Sequence, residues 1–288
     1  MGQFAQDAGR ETGEATPPGD DKEKGKKRDA GRPAVVFIHG AWLTPRCWDA
    51  FRKPFEAAGF QTLAPAWPGL DRPIEELRAG PGPWFGALSL SAITDHYARI
   101  ITALDTPPLL VGHSFGGLVV QMLLARGLGA AGVALAPAPF AGLWPDPVSF
   151  EAAMLVGMGW KGWNQIYEVA RDVFDTRVAN TLSSQQRDEI FASAVPSPGR
   201  LYGEAATGLG TFLWIPARRS PLLLIAAGED RMVSPALVQN AWRWQSIAPA
   251  RTDYEVAEGL CHLLIYEPGG EKVAASIIAW AGENGVKP

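Results

Sequence analysis

The sequence predicts an α/β fold, a mostly parallel sheet of about six strands with helices on both faces and a helical cap. Two observations carry this. From Gly31 onward, short β-branched or Leu-rich runs alternate with longer helical stretches, as a sheet buried on both faces requires. The chain of 288 residues is also 47% hydrophobic and only 19% charged, enough apolar surface for a sizeable core.

The elements are expected in this order. Strands are predicted at Ala34–Ile38, Gln61–Ala64, Pro108–Gly112, Gly132–Ala136, Leu222–Ala226 and Asp253–Val256. A helix over Cys47–Ala58 stops at Gly59, and one over Ser91–Leu104 puts Ile93, Tyr97, Ile100, Ile101 and Leu104 on one face. Gly116–Arg126 is the next, and Pro235–Gln245 begins with Ser234 as N-cap and Pro at the first helical position. Residues 271–281 supply the last. The stretch between Ala136 and Pro221 shows no strand pattern and is rich in Trp, Phe, Met and Gly. It is too long for a structureless loop, so the domain plan is a core over 33–138 and 219–288 with a helical cap inserted at 139–218. Residues 1–32 hold 14 of the 56 charged residues, seven of each sign, and read as a disordered polar leader.

Composition narrows the function. Lys and Arg number 26 against 30 acids, a net charge of −4, which leaves no electrostatic footprint for nucleic acid or an anionic membrane. No run of apolar residues is long enough to span a bilayer, and the leader has no secretory apolar region, so a cytoplasmic location is expected. Cys47 and Cys261 read as small buried hydrophobes rather than as a disulfide framework or metal ligands. Neither a phosphate-binding loop nor a dinucleotide fingerprint is present, so neither a metal nor another cofactor is expected.

The segment Leu109-Leu110-Val111-Gly112-His113-Ser114-Phe115-Gly116-Gly117 runs a buried strand into a helix through G-x-S-x-G. Glycines two before and two after the Ser remove the Cβ atoms that a sharp strand-to-helix turn would force into neighbouring backbone. A Ser hydroxyl is a weak nucleophile without a base, and the base needs an orienting acid. Of the four His, His113 adjoins the nucleophile and cannot easily reach back, His39 suits loop support, and His96 suits a helix surface. His262, after the last strand, is the candidate base. Asp230, at the carboxyl end of the Leu222–Ala226 strand, is the candidate acid; Glu229 should face away, and Asp146 is the alternative. The oxyanion would meet the amides of Phe115 and Ala41, the latter in the loop Phe37-Ile38-His39-Gly40-Ala41-Trp42. Trp42, Trp144, Met154, Trp160 and Trp214 are candidates to line an apolar substrate pocket, the plain alternative being that they pack the insertion onto the sheet. No basic cluster accompanies these segments, which disfavours a phosphorylated substrate.

The H-G-A-W loop, the G-H-S-F-G-G turn, the G-E-D-x-x-V acid loop and the late His resemble the α/β-hydrolase superfamily over roughly residues 33–285. Within it, the H-G-A-W opening and Trp48 look similar to the small esterase and hydroxynitrile lyase branch. The lyases of that branch carry a Thr and a Lys where this chain has Gly40 and Leu263, so the resemblance implies hydrolysis. The implied activity is a cofactor-independent carboxylesterase of the EC 3.1.1 type, acting on a moderately sized apolar or aromatic ester through an acyl-enzyme. Lactonase or thioesterase action would use the same residues, and a non-catalytic ligand-binding homologue is the reading from another class. Its partner is a small-molecule ester, and a homodimer is allowed.

Overall fold

The computed structural model describes residues 33–215 and 219–288. The leader expected over 1–32 lies outside the described residues. Six strands form one parallel sheet: β1 (Ala34–Ile38), β2 (Gln61–Leu63), β3 (Leu109–His113), β4 (Ala131–Leu135), β7 (Leu222–Ala227) and β8 (Thr252–Ala257). Their spatial order is β2-β1-β3-β4-β7-β8. The four inner strands are buried throughout, which is why they read as unbroken apolar runs. The edge strands β2 and β8 are partly exposed and carry Gln61, Asp253 and Glu255. The chain steps from β1 outward to β2 and then back across to β3. That reversal opens a crevice at the carboxyl ends of β1 and β3, where open α/β sheets place ligands.

Helices cover both faces. In α3 (Leu90–Thr102) the Ser89 hydroxyl accepts from the Ala92 N–H at 3.1 Å, and Ile93, Tyr97 and Ile101 face the core. Its neighbour α4 (Phe115–Ala125) is apolar nearly all round and buried nearly all round, as an all-apolar helix must be. In α9 (Pro235–Gln245) the N-cap Ser234 hydroxyl accepts from Leu237 N–H at 3.1 Å, and α10 (Gly270–Glu283) closes the chain.

Three local expectations are corrected. The helix expected over Cys47–Ala58 is a 3₁₀ turn at Pro45–Trp48 followed by α1 (Lys53–Ala57). Pro54 has no N–H to give to Ala50, so the helix restarts instead of running through. Trp48, Phe51 and Phe55 still pack on one side, with Phe37 at 5.0 Å from Trp48 and 5.2 Å from Phe55 between ring centres. A short helix, α2 (Ile74–Ala79), lies in a stretch given no element; Pro73 ahead of Glu75 and Glu76 is its sequence signal. Between β4 and β7 lie α5 (Pro147–Gly159), α6 (Arg171–Val173), a π-helix (Phe174–Val178), α7 (Ser184–Ser193) and α8 (Gly199–Thr207). The segment also holds an antiparallel pair, β5 (Ile166–Tyr167) with β6 (Ser197–Pro198). Two residues are too few to show a period-two pattern. Glu204 of α8 ties this segment to the core by accepting the Leu90 N–H at 2.8 Å at the start of α3, while also accepting from Arg200 at 2.8 Å.

Candidate active site

Ser114 stands at the turn from β3 into α4 with φ 55° and ψ −120°, a backbone region an L residue occupies at a cost of about 1–3 kcal/mol. The surrounding glycines make this turn sterically feasible. A Cβ on Gly116 would lie on the Ile38 carbonyl oxygen and 2.7 Å from that of His39, and one on Gly112 would lie 2.8 Å from Gly117 N. The Ser114 N–H donates to Leu135 O at 2.9 Å, and its carbonyl accepts from Leu118 and Ala138 at 3.1 and 3.0 Å, so the strained residue is held from both sides. Among the described residues the non-glycine positions with positive φ are Trp42, Ser114 and Ala136. They follow β1, β3 and β4, so the strain gathers at one rim of the sheet.

His262 and Asp230 are both buried and paired: the His262 Nδ1–H donates to Asp230 Oδ2 at 2.7 Å. The other carboxylate oxygen accepts the N–H groups of Met232 and Val233 at 2.7 and 2.9 Å, which fixes the carboxylate. With the proton assigned to Nδ1 by its carboxylate partner, Nε2 is left as an acceptor. Ser114 and His262 line one cavity of about 10 Å³, room for about one water, together with Ala41, Trp42, Leu43, Phe174, Val178, Ile190, Ala194 and Leu263. Both line it, and among the described residues no direct hydrogen bond joins them; hydrogen bonds of this kind are often long before substrate is bound.

The remaining histidines are committed elsewhere. His39 donates from Nδ1 to Gly40 O at 2.9 Å, accepts the Trp67 N–H on Nε2 at 3.2 Å, and stacks on Trp67 at 4.7 Å. Burial lowers its pKa to about 4, so the ring is neutral at pH 7. His113 donates from Nε2 to the backbone carbonyl of His262 at 2.7 Å. Burial, then the neighbouring His262, lowers its pKa to about 3. His113 therefore braces the residue that sequence reasoning made the base. His96 is half-buried against Ala66 O at 3.1 Å. Cys261 and Cys47 are free and buried, and burial pushes the Cys261 thiol up to about 12, far from a reactive thiolate.

Asp146, the alternative acid, is engaged as the N-cap of α5, accepting from Val148 N–H at 2.9 Å and from the hydroxyls of Ser149 and Ser234. Burial pushes its carboxyl up, but these hydrogen bonds outweigh that and hold it below the usual range. Glu229 is exposed. Among the described residues, no backbone acceptor takes up the N–H of Ala41 or of Phe115, and Ala41 lines the same cavity as Ser114.

The expected pocket residues are placed unequally. Trp42 lines the cavity and packs on Tyr167 and Tyr202 at 6.0 and 5.9 Å. Trp144, Met154 and Trp214 are 86%, 55% and 64% exposed and stand outside its lining. Trp160 donates from its ring to Gly199 O at 2.8 Å and packs on Trp163, also away from the cavity. The walls supplied by Phe174, Val178, Ile190 and Ala194 were missed, because the inserted segment has no local motif that announces which side chains face inward. Among the described residues no cluster of three or more His, Cys, Asp or Glu could hold a metal, and no helix is long and apolar enough to cross a membrane.

A family model described as "Alpha/beta hydrolase family" matches residues 35–275. No curated protein sequence matches the chain. Among solved structures, a monoacylglycerol lipase of Paleococcus ferrophilus is similar at TM-score 0.63 and 20% identity, covering 88% of this chain and 96% of that one. A thermophilic esterase from Thermogutta terrifontis, malate bound, matches at TM-score 0.63 and 17% identity over 88% and 90% of the two chains. A methylesterase from Arabidopsis matches at TM-score 0.59 and 15% identity over 87% and 99%. At such identities the likeness is one of fold.

Proposed function

Because the chain belongs to the alpha/beta hydrolase family, we propose that it is a serine-dependent carboxylic ester hydrolase working through an acyl-enzyme. The observation that carries this reading is the strained Ser114, which shares one apolar cavity with His262, itself fixed by Asp230 at 2.7 Å.

In the proposed reaction the ester enters the cavity and its carbonyl carbon comes over Ser114 Oγ. His262 Nε2 takes the hydroxyl proton as Oγ bonds to the carbon, and Asp230 stabilises the imidazolium. The negative charge passes to the carbonyl oxygen, where the Ala41 and Phe115 N–H groups receive it. Losing one such donor typically costs about 2.7–4 kcal/mol of transition-state stabilisation. The tetrahedral species collapses, the alcohol leaves with the proton from His262, and the acyl group stays on Ser114. Water, deprotonated by the same His262, then attacks the acyl carbon and releases the acid. His113 keeps the His262 backbone in place throughout, itself staying neutral. The apolar walls favour an apolar or aromatic ester of moderate size.

The test is labelling by a fluorophosphonate together with turnover of p-nitrophenyl acetate and butyrate. Labelling of wild type that disappears in Ser114→Ala, with turnover lost in His262→Ala, is the expected result. A wild-type protein that neither labels nor turns over an ester would overturn the reading. Turnover of lactones or acyl thioesters in place of simple esters would retain the mechanism and reassign the substrate.

A further inference from the structure

The segment between β4 and β7 is hydrogen-bonded to three of the loops that carry the candidate machinery. The Val195 N–H donates to Trp42 O, in the loop that offers the Ala41 amide, at 3.0 Å. Asn180 Nδ2 donates to Glu229 O, next to Asp230, at 2.9 Å. Thr181 Oγ1 donates to Glu267 Oε2 at 2.9 Å, and Glu267 Oε1 accepts the N–H of Cys261, the residue before His262, at 2.6 Å. The acid and base loops are in turn joined by the Glu229 N–H to Leu260 O at 2.8 Å.

Two of these ties come from consecutive residues, which begin one residue beyond the π-helix whose Phe174 and Val178 wall the cavity. One short stretch thus seals the site and grips both loops. Ordinary stabilisation accounts poorly for this. Thr181 is exposed, where a hydrogen bond adds little to the fold. Among the described residues the buried Asn180 Oδ1 has no partner, and the hydrogen bond the side chain makes is the one to Glu229 O. A buried polar atom left unsatisfied in a native fold calls for a reason of this kind.

We infer that Asn180 and Thr181 are positioning residues that couple the wall of the cavity to the acid and base loops and thereby set the acyl-size preference. The inference rests on the hydrolytic reading above. With both ties made, the cavity has room for about one water, so an acyl group beside Ser114 must push its walls apart, and a long chain pushes them further than a short one. A long acyl chain displaces Phe174 and Val178, which draws Asn180 and Thr181 off the loops that hold Asp230 and His262. Short esters therefore disturb the bracing least, and long esters are turned over only when the ties give way.

The experiment compares the full chain with Thr181→Val, Asn180→Leu and the conservative Thr181→Ser, measuring kcat/KM for p-nitrophenyl acetate and octanoate. Each hydrogen bond is a net contribution that converts to roughly a three- to tenfold change, so the octanoate-to-acetate ratio should rise by about that factor in Thr181→Val and Asn180→Leu. Thr181→Ser, which keeps the hydroxyl, should stay within about twofold of wild type. An equal fall on both esters, or no change in their ratio, overturns the inference and leaves these residues a structural role at most. Should wild type hydrolyse neither ester, the simple-ester reading fails by itself. Hydrogen exchange then decides the coupling: Thr181→Val should speed exchange in peptides spanning 174–182 and 258–264 together, and unchanged exchange over 258–264 refutes it.

Discussion

Acidification from pH 7.5 to pH 5 should destabilise the fold chiefly through His39 and His113. Both rings are buried and neutral, and their pKa values fall from an ordinary 6.5 to about 4 and about 3. At pH 5 an unfolded chain binds nearly one proton on each ring while the folded chain binds almost none. The stability these rings supply is therefore complete above about pH 7.5, declines as pH falls through 6.5, and continues to decline to about pH 4 for His39 and about pH 3 for His113. One pKa unit is about 1.36 kcal/mol, so between pH 7.5 and 5 each ring loses about 2 kcal/mol and the two together about 4 kcal/mol. Half-buried His96, also lowered chiefly by burial, adds in the same direction. Against a typical total of about 5–15 kcal/mol, that is a large share. Urea unfolding followed by Trp fluorescence at pH 7.5, 6.5, 5.5 and 5 measures it. His113→Gln keeps a donor for the His262 carbonyl but cannot titrate, so its loss between the two pH values should be smaller by about 2 kcal/mol. A wild-type loss below about 1 kcal/mol, or a His113→Gln slope equal to wild type, would refute the reasoning.

Three further outcomes follow from the geometry. Asp230→Asn keeps its oxygen on the Met232 and Val233 amides, turns its NH₂ toward His262 Nδ1, and so puts the ring proton on Nε2, where it cannot receive one from Ser114; ester turnover should fall about 10³- to 10⁴-fold with the melting temperature little changed. Gly116→Ala, whose Cβ would sit on the Ile38 carbonyl oxygen, should be destabilised by about 3 kcal/mol or more in urea, whereas Gly157→Ala in α5, with nothing within 4 Å, should be neutral or more stable by about 0.5–1 kcal/mol. Glu204→Ala strands the Leu90 N–H and the Arg200 guanidinium and should cost about 1–3 kcal/mol, seen as a lower melting temperature.

The four inner strands were readable because strands covered on both faces must be largely apolar, and β1, β3, β4 and β7 are. The turn at Ser114 was readable because its glycines answer a steric demand that few other turns make. Where a single residue redirects the chain, pattern was a poorer guide. The stop at Gly59 suggested one helix over Cys47–Ala58, yet the missing N–H of Pro54 divides it. The cavity walls were the least legible part. An abundance of aromatic residues says that apolar surface exists, not which way it turns: Trp144 and Trp214 face outward, while Phe174 and Val178 face Ser114. The role of His113 was hidden for a related reason, since its partner is a backbone carbonyl 149 positions away and leaves no mark on composition or spacing.

The π-helix at Phe174–Val178 closes with an Ala179 N–H to Phe174 O bond of 2.8 Å, one residue wider than a regular α turn. Removing one residue from that turn would restore ordinary helical pitch and rotate everything after it by about 100°, with a shift of about 1.5 Å. Asn180 and Thr181 would then swing away from Glu229 and Glu267 although neither had been altered. The wide turn thus serves as a spacer of fixed length, and shortening or lengthening this stretch by a single codon should be harder to tolerate than most substitutions within it.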